Sequence, residues 1–322
     1  MPLKFNNNRS KRFRAQYRIR NWPQYDAGLR RRGDLTLWLD EAAIAGWSAP
    51  RRATPGGQAR YSNFAIELVL MLRLVYHLAL RQAEGFVSSI FRLLGLALPI
   101  PDHTTLSRRG RDFAHRRPHP VPHGPLHLLI DSTGLKLFGR GEWNSEGHGR
   151  ARRSWRKLHL AVDADSGEIV ASVLTGNDAQ DAGQVPVLLE QIEGEIANVM
   201  PDGAYDSEPV YRAIQARRSE PGPIIVIPPR STAVPGVATD AAESQRDHHI
   251  RFIQENGHAA WRKATSYGRR SLAETTVGRY KGLIGSRLRA RALANQQGEA
   301  ALGVEVLNRM IRIAKPASVR II

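Results

Sequence analysis

Residues 126–131 read Leu-His-Leu-Leu-Ile-Asp, a short apolar run that ends in a carboxylate. An apolar run of this length predicts a strand that is buried within a sheet. Residues 155–163, WRKLHLAVD, predict a second strand, and a turn at 164–167 leads into a third strand at 168–174. The three segments therefore predict consecutive hairpins, with Asp131 at the end of the first strand.

After these hairpins the sequence alternates between helical and extended segments. In chain order it predicts a helix at 181–193, a strand at 196–200, a helix capped by Ser207, a strand at 224–227, a loop-like polar insertion at 228–262, and helices at 271–285 and 299–313. Three strands followed by helix, strand, helix, strand and closing helices is the element order of a ribonuclease-H-like fold. The predicted fold class is therefore α/β, with a mixed five-stranded sheet flanked by helices.

Residues 34–120 predict an all-α region that precedes the sheet. Helices are expected at 35–45, 62–81, 84–94 and 103–114, with Asp34 and Asp102 as caps of the first and the last. The last helix carries Arg108, Arg109 and Arg111. A short basic helix at the end of such a set is typical of a helix-turn-helix DNA-binding domain, although many helical bundles also end in one.

The charge balance indicates a polyanionic partner. The chain has 47 Lys and Arg against 30 Asp and Glu, a net charge of +17, and a pI near 10.9. Nucleic acid is the commonest partner of such proteins, although a ribosomal or merely basic protein has the same composition. Residues 1–33 form a basic arm with interleaved aromatic side chains, which suits either phosphate contact or packing on the next domain. The predicted domains are 1–33, 34–120 and 121–322, with a linker near 118–125.

Composition also excludes several classes of site. The chain has no cysteine, so disulfides, zinc–thiolate sites and thiol nucleophiles are excluded. The N-terminus lacks an apolar segment of signal-peptide length. The most hydrophobic run, 64–80, contains Glu67, Arg73 and His77, which favours a buried helix over a membrane span. We therefore expect a cytoplasmic protein that does not enter a membrane.

Three carboxylates stand where the predicted elements meet. Asp131 and Asp202 each follow a strand, and these two strands are neighbours in the predicted fold. Glu274 lies on a helix that would pack across the same edge of the sheet. Hard divalent cations such as Mg²⁺ prefer oxygen ligands, and a pair of them can promote in-line displacement at phosphorus. The three residues therefore predict a site for two Mg²⁺ ions, with Mn²⁺ as a substitute.

Each carboxylate also has a structural interpretation. Asp131 and Asp202 each precede residues that favour turns. Asp206 is the main rival of Asp202 for the second acidic position. Glu274 follows Ser271 at the spacing of a capping box, in which the glutamate would serve only its own helix.

A cationic helix face surrounds Glu274. Tyr267, Arg270, Glu274 and Lys281 are spaced by 3, 4 and 7 residues, so on a continuous helix they lie within about 60° of arc. Gly268 weakens the assumption of continuity. Such a face predicts a carboxylate flanked by groups that bind DNA phosphates.

The motifs together resemble the DDE transposases of bacterial insertion sequences, specifically the insertion-sequence-five family. The matching motifs are Asp131-Ser-Thr-Gly-Leu-Lys136, Trp155-Arg-Lys-Leu-His-Leu-Ala-Val-Asp163, Asp202-Gly-Ala-Tyr-Asp206, Tyr267-x2-Arg270-x3-Glu274-x6-Lys281, Trp22-Pro-x-Tyr25 and Asp102-His-Thr-Thr-Leu-Ser-Arg-Arg109. The resemblance implies that Asp131, Asp202 and Glu274 are the catalytic metal ligands. It implies that Tyr267, Arg270 and Lys281 contact DNA around Glu274.

The activity implied is binding of terminal inverted repeats, followed by cleavage of the transposon end and strand transfer into target DNA. The resemblance also implies a homodimer on paired DNA ends, in the bacterial cytoplasm and associated with the nucleoid. Two alternatives remain at this point: a metal-dependent nuclease that cuts without joining, and a catalytically inactive DNA-binding regulator.

Overall fold

A computed structural model describes residues 16–53, 55–118, 124–137, 155–217, 222–236 and 244–321. Its strands are β1 Gln16–Ile19, β2 Leu126–Leu137, β3 Trp155–Asp163, β4 Ile169–Gly176, β5 Ile196–Met200, β6 Ile224–Ile225, β7 Arg287–Leu288 and β8 Ser318–Ile321. Its α-helices are α1 Trp22–Arg32, α2 Glu41–Ala45, α3 Asn63–Val75, α4 Leu80–Leu93, α5 His103–Arg109, α6 Val185–Leu189, α7 Glu208–Gln215, α8 Gln245–Ala264, α9 Ser271–Leu283 and α10 Leu293–Ile313.

The fold is mixed α/β around a six-stranded mixed sheet. The strand order is β4-β3-β2-β5-β6, and β7 pairs with β2 off this path. The hairpins β2–β3 and β3–β4 are antiparallel, whereas β5 pairs in parallel with β2 and β6. The expected adjacency of the first and fourth sheet strands, β2 and β5, is thus confirmed. The expected count of five strands was wrong, because two residues of β7 add a sixth.

Strand β2 continues past Asp131, which corrects the prediction that it ends there. Its parallel pairing with β5 stops at Leu129, opposite Met200, while its antiparallel pairing with β3 runs on to Lys136. On the β5 side, β7 joins β2 only at Lys136. Asp131 therefore lies beside a notch in the sheet, between the end of β5 and the start of β7.

The two faces of the sheet bury separate hydrophobic cores. Along β2, Leu128 and Ile130 face the core that includes α6 and α7, whereas Leu129 and Leu135 face the core that includes α9 and α10. Since side chains alternate along a strand, Asp131 shares the face of Leu129 and lies on the α9 side.

The N-terminal helices pack into a third core, and α10 is part of it. Leu302, Val306 and Met310 of α10 are buried with the side chains of α2 to α5. At the closest approach, a Cβ on Gly298 would lie 2.1 Å from the Gly110 carbonyl oxygen, so only glycine fits there. The helical region is therefore completed by a helix from the far end of the chain.

Helices α3 and α4 meet at 108° across residues 76–79, where His77 has a positive φ of 54°. The break falls inside the helix predicted at 62–81. Asp102 caps α5 as expected, since its side chain accepts from the Thr104 and Thr105 amides at 2.9 Å. Helix α5 then gives way to a 3-10 turn at Gly110–Phe113. The helix-turn-helix assignment stays a prediction.

The second half of the predicted basic arm is folded. Strand β1 pairs with β8 at the other end of the chain, and α1 follows it. A Cβ on Gly28 would lie 2.1 Å from the Ala314 Cβ, so α1 sits close against the end of α10. Residues 1–15 of the arm and residues 119–123 of the predicted linker lie outside the described part of the chain.

The predicted polar insertion at 228–262 was wrong over much of its length, because α8 occupies Gln245–Ala264. Gly257, at φ 81° and ψ 161°, kinks this helix and interrupts its periodicity. Only His249, Ile250 and Trp261 of α8 are buried, so its apolar stripe is short. His249 accepts from Trp261 Nε1 at 3.1 Å and its Nε2 lies 2.7 Å from the Ile225 carbonyl oxygen, which anchors α8 to β6.

Within the described ranges, no single helix combines the length and apolar composition needed to cross a membrane.

Candidate functional site

The three predicted carboxylates converge on one guanidinium group. Arg270 Nη2 lies 3.1 Å from Asp131 Oδ1 and 3.3 Å from Asp202 Oδ2. Arg270 Nη1 lies 2.9 Å from Glu274 Oε1. These side chains come from β2, the end of β5 and α9, so the tertiary fold brings them together.

The sheet and the adjoining turns position the two aspartates. Asp131 Oδ1 accepts from the Ser132 amide at 2.9 Å, while the carboxyl group faces α9 across the notch. Asp202 caps the 3-10 turn Gly203–Tyr205 by accepting from the Ala204 amide at 2.8 Å through Oδ1. Its Oδ2 is left to face Arg270. The turn interpretation of Asp202 is therefore correct, and it is compatible with a place in the site.

Glu274 does not form the capping box that its spacing with Ser271 suggested. The Ser271 hydroxyl donates to the Gly268 carbonyl oxygen at 3.0 Å, and α9 has no side-chain cap. The Glu274 side chain, 67% exposed, pairs instead with Arg270 one turn earlier. It stands at the solvent side of the cluster.

Asp206 lies in a different environment from Asp202. Its side chain is fully buried and binds Arg246 through two contacts, Nε to Oδ1 at 2.8 Å and Nη2 to Oδ2 at 3.2 Å. The Arg230 amide donates to Asp206 Oδ2 at 3.1 Å. Asp206 thus ties α8 and the loop after β6 to the turn at the end of β5.

The carboxylate site is short of positive charge. Burial raises the pKa of Asp131 above its ordinary value, the Arg270 charge and the Ser132 amide oppose this, and the charges of Asp202 and Glu274 raise it further. One guanidinium serves three carboxylates, so the cluster favours an additional cation. The Arg270 Nε is itself buried with no hydrogen-bond partner among the described residues.

Tyr267 lies beside this cluster, and Lys281 lies about two turns beyond Glu274 on α9. Tyr267 precedes Arg270 in the 3-10 turn Tyr267–Arg270, and its hydroxyl donates to the Pro201 carbonyl oxygen at 3.2 Å. Burial raises the pKa of Tyr267 to about 12, so the phenol stays protonated. The 3-10 turn runs directly into α9, where Lys281 is half-buried in the last turn. Lys281 has no ion-pair partner among the described carboxylates.

The three arginines predicted on the basic helix differ in their surroundings. Arg109 Nη1 donates to the Tyr61 carbonyl oxygen at 3.0 Å and its Nη2 donates to Asn63, so this side chain serves the fold. Arg108 and Arg111 are exposed. Their guanidinium groups remain accessible to an external anion.

A second polar cluster, which the sequence analysis missed, lies on the opposite face of β2. Asp181 Oδ2 accepts from the Ser132 hydroxyl at 3.1 Å, and its Oδ1 accepts from Lys157 Nζ at 3.0 Å. His159 is fully buried beside them, with its Nδ1 3.7 Å from Asp181 Oδ1. Burial lowers the pKa of His159. Lys157 and His159 are two residues apart and lie on the same face of β3. This pair of polar residues at strand spacing was the sequence signal from which the cluster could have been predicted.

Comparison with protein families identifies the class of the molecule. Residues 30–140 match one family model and residues 122–308 match another, and both are described as a transposase DDE domain. The second match covers more than half of the 322 residues. The chain belongs to the DDE transposase family, and it is an enzyme of that class.

Among solved structures, the chain is similar to the piggyBac transposase synaptic complex with hairpin DNA, determined by cryo-EM. The identity is 13%, the match covers 92% of this chain and 77% of that chain, and the TM-score is 0.38. The family assignment rests on the family models.

Proposed function

We propose that this protein is the transposase of an insertion sequence, and that Asp131, Asp202 and Glu274 are its catalytic metal ligands. The observation that carries the proposal is the convergence of these three carboxylates, from three distant segments, on one guanidinium at 2.9–3.3 Å. Clustered carboxylate oxygens are the ligands that hard divalent cations prefer.

The position of the site in the sheet supports a ribonuclease-H-like catalytic domain. Asp131 lies on the central strand β2, Asp202 follows the neighbouring parallel strand β5, and Glu274 lies on α9 across the notch. The adjacency of β2 and β5 is the one that the sequence predicted. A site at the edge of a parallel strand pair is also where α/β proteins commonly bind ligands.

The donor set fits Mg²⁺, with Mn²⁺ as a substitute. All three side chains offer hard oxygen donors, and the surplus of negative charge around Arg270 favours cations. Within the described ranges, no three acidic or histidine side chains surround a metal position as they stand, and the Arg270 guanidinium contacts all three carboxylates. Two bound ions would activate the attacking oxygen and stabilise the leaving oxygen at phosphorus.

The other side chains of the site would bind and orient the DNA. Lys281 forms no ion pair with a described carboxylate and lies on the same helix as Glu274, so it would be available to bind a DNA phosphate. Tyr267, protonated and held to Pro201, would offer a rigid phenol beside the strand that is cut. Arg270 would contact phosphate once DNA lies against the notch.

DNA-end recognition falls to the N-terminal region in this proposal. Arg108 and Arg111 are exposed on and after α5, and the chain carries a net charge of +17. We place the protein in the insertion-sequence-five group, acting as a homodimer on paired terminal inverted repeats in the bacterial nucleoid. The Tyr267, Arg270, Glu274 and Lys281 spacing supports that placement.

The test begins with the DNA that flanks the gene. Matched inverted repeats would supply an end duplex, which is incubated with the full-length protein, Mg²⁺ and a supercoiled target plasmid. Cleaved ends together with end–plasmid joints are expected. Cleavage with no joint would instead make the protein a nuclease, and specific binding with no cleavage in Mg²⁺ or Mn²⁺ would make it a regulator.

A further inference from the structure

We propose that Arg270 keeps the carboxylate site closed to metal in the DNA-free protein, and that DNA binding opens it. Arg270 would thereby couple metal loading to DNA engagement. The inference rests on the proposed function, because it takes Asp131, Asp202 and Glu274 as the metal ligands.

The geometry sets up a competition for the same oxygen atoms. Arg270 Nη2 is within 3.3 Å of both aspartates and Nη1 is 2.9 Å from Glu274, so the guanidinium fills the point on which all three converge. A dication at that point would be in contact with a like charge. The guanidinium and the metal therefore exclude each other, and metal binding requires Arg270 to leave.

Few polar contacts hold Arg270 in place. Its side chain is 13% exposed, and its Nε has no hydrogen-bond partner among the described residues, so the polar contacts to be exchanged are those of Nη1 and Nη2 with the three carboxylates. Its backbone lies where the 3-10 turn passes into α9, and the turn begins after Ser266, which is in the left-handed region at φ 54°. Glu274, 67% exposed, marks the open side of the cluster.

A displaced guanidinium needs another anion. The neighbouring Arg269 already pairs with Asp165, and the buried Asp206 is taken by Arg246. A DNA phosphate at the mouth of the site offers the same bidentate geometry as a carboxylate. DNA would thus draw Arg270 out and leave the three carboxylates to the metal.

The consequence is positive coupling between the two ligands. If DNA raises metal affinity by some factor, metal must raise DNA affinity by the same factor. Couplings of this kind are commonly on the order of 10-fold or more. The device keeps the nucleolytic site unloaded until DNA is in place.

The experiment measures Mn²⁺ binding by electron paramagnetic resonance titration of the full-length protein. Each protein is titrated twice, once without DNA and once saturated with a pre-cleaved, 3′-dideoxy end duplex. A parallel titration with a scrambled duplex corrects for the ions that DNA itself binds. The variants are Arg270→Gln, Arg270→Lys and, as a matched control, Arg269→Gln. Circular dichroism confirms that each variant is folded.

Wild type is expected to bind Mn²⁺ about 10-fold more tightly with the end duplex than without it. Arg270→Gln should bind tightly without DNA and gain nothing from it. Arg270→Lys should be intermediate, since one ammonium cannot span three carboxylates as the planar fork does. Arg269→Gln should behave like wild type.

Equal DNA-free affinity in Arg270→Gln and wild type would overturn the inference. A further variant, Asp131→Asn, titrated with the end duplex bound, separates that failure from failure of the proposed function. If Asp131→Asn with the end duplex abolishes Mn²⁺ binding while Arg270→Gln changes nothing, only the coupling is wrong. If Asp131→Asn with the end duplex binds Mn²⁺ as wild type does, the ligand assignment itself is wrong.

Discussion

Two aspartates only four residues apart, Asp202 and Asp206, end in opposite electrostatic situations. Asp206 is fully buried and has Arg246 to itself, with the Arg230 amide as a further donor. Asp202 is 38% exposed and shares Arg270 with Asp131 and Glu274. The first region is balanced one to one, whereas the second holds three negative charges against one positive charge.

Under the proposed function, the comparison separates charges that build the fold from charges that serve ligand binding. Breaking a balanced buried pair leaves an uncompensated ion, which is costly for stability. Removing one charge from a surplus relieves repulsion and costs function instead. Cations show the same division, since Arg109 is bonded to Tyr61 and Asn63 while Arg108 and Arg111 are exposed.

The largest expected effect is on catalysis at the surplus site. Asp131→Ala, Asp202→Ala and Glu274→Ala should each lower end cleavage by about 10³-fold or more, since a ligand should matter at least as much as one preorganised donor. Gel-shift affinity for the end duplex, measured in EDTA so that metal coupling does not contribute, should stay near that of wild type, because binding depends mainly on phosphate and groove contacts. Cleavage near the wild-type rate in any one variant would remove that residue from the site.

The next effect is on stability at the balanced pair. Asp206→Ala should lower the free energy of unfolding by about 3 kcal/mol, the low end for a buried pair, because Arg246 is 26% exposed. Asp202→Ala should change it by less than about 1 kcal/mol. Urea titrations of both variants check this. Assayed where it is still folded, Asp206→Ala should keep substantial cleavage, and a loss like that of Asp202→Ala would erase the distinction.

A smaller effect concerns the pH dependence of the surplus site. The folded-state pKa of Asp131 is raised, chiefly by burial, so its contribution to stability is present when it is protonated and is lost as pH rises through that pKa. Asp131→Asn should therefore raise the metal-free melting temperature at neutral pH, by about 1–3 °C. The difference in melting temperature between Asp131→Asn and wild type should shrink as the pH is lowered through the folded-state pKa of Asp131, towards the ordinary aspartate pKa of about 3.9.

Adding excess Mg²⁺ extends the same comparison of melting temperatures. It should stabilise wild type by mass action and Asp131→Asn much less. A lower metal-free melting temperature in Asp131→Asn, with an unchanged response to Mg²⁺, would mean that Asp131 belongs with Asp206 as a structural charge.

The smallest expected effect distinguishes the arginines that would bind DNA from the arginine that stabilises the fold. Arg108→Gln combined with Arg111→Gln should weaken DNA binding and reduce the slope of log affinity against log salt by about 2. Arg109→Gln should instead destabilise the fold by about 1 kcal/mol, through its lost hydrogen bonds to Tyr61 and Asn63. Salt titrations and urea melts distinguish them, and equal salt slopes in the double variant and wild type would contradict the assignment of Arg108 and Arg111.

Full-length protein is needed for all these measurements. Leu302, Val306 and Met310 of α10 complete the core of the N-terminal helices. A fragment of residues 1–120 would expose that core, so the independent N-terminal domain suggested by the sequence is not a suitable binding sample.

Local patterns predicted the parts of the molecule that depend on near neighbours. The hairpins β2–β3–β4, the Asp102 cap of α5 and the helix carrying Glu274 follow from alternation, capping residues and periodicity within short windows. Helix α8 was missed because its buried stripe is short and Gly257 interrupts it. The long β2 was missed because the polar residues after Asp131 resemble a turn, yet they pair with β3.

The sequence by itself determined the class of the protein, the order along the chain of five strands of its sheet, and three carboxylates as candidate site residues. Only the tertiary structure decided that Arg270 would lie among them, that Asp206 would be paired elsewhere, and that α10 would serve two cores. The physical reason is the distance along the chain over which each kind of interaction acts. Propensity, capping and periodicity act over a few residues, whereas ion pairing and burial join side chains that are, for Asp131 and Arg270, 139 positions apart (270 − 131).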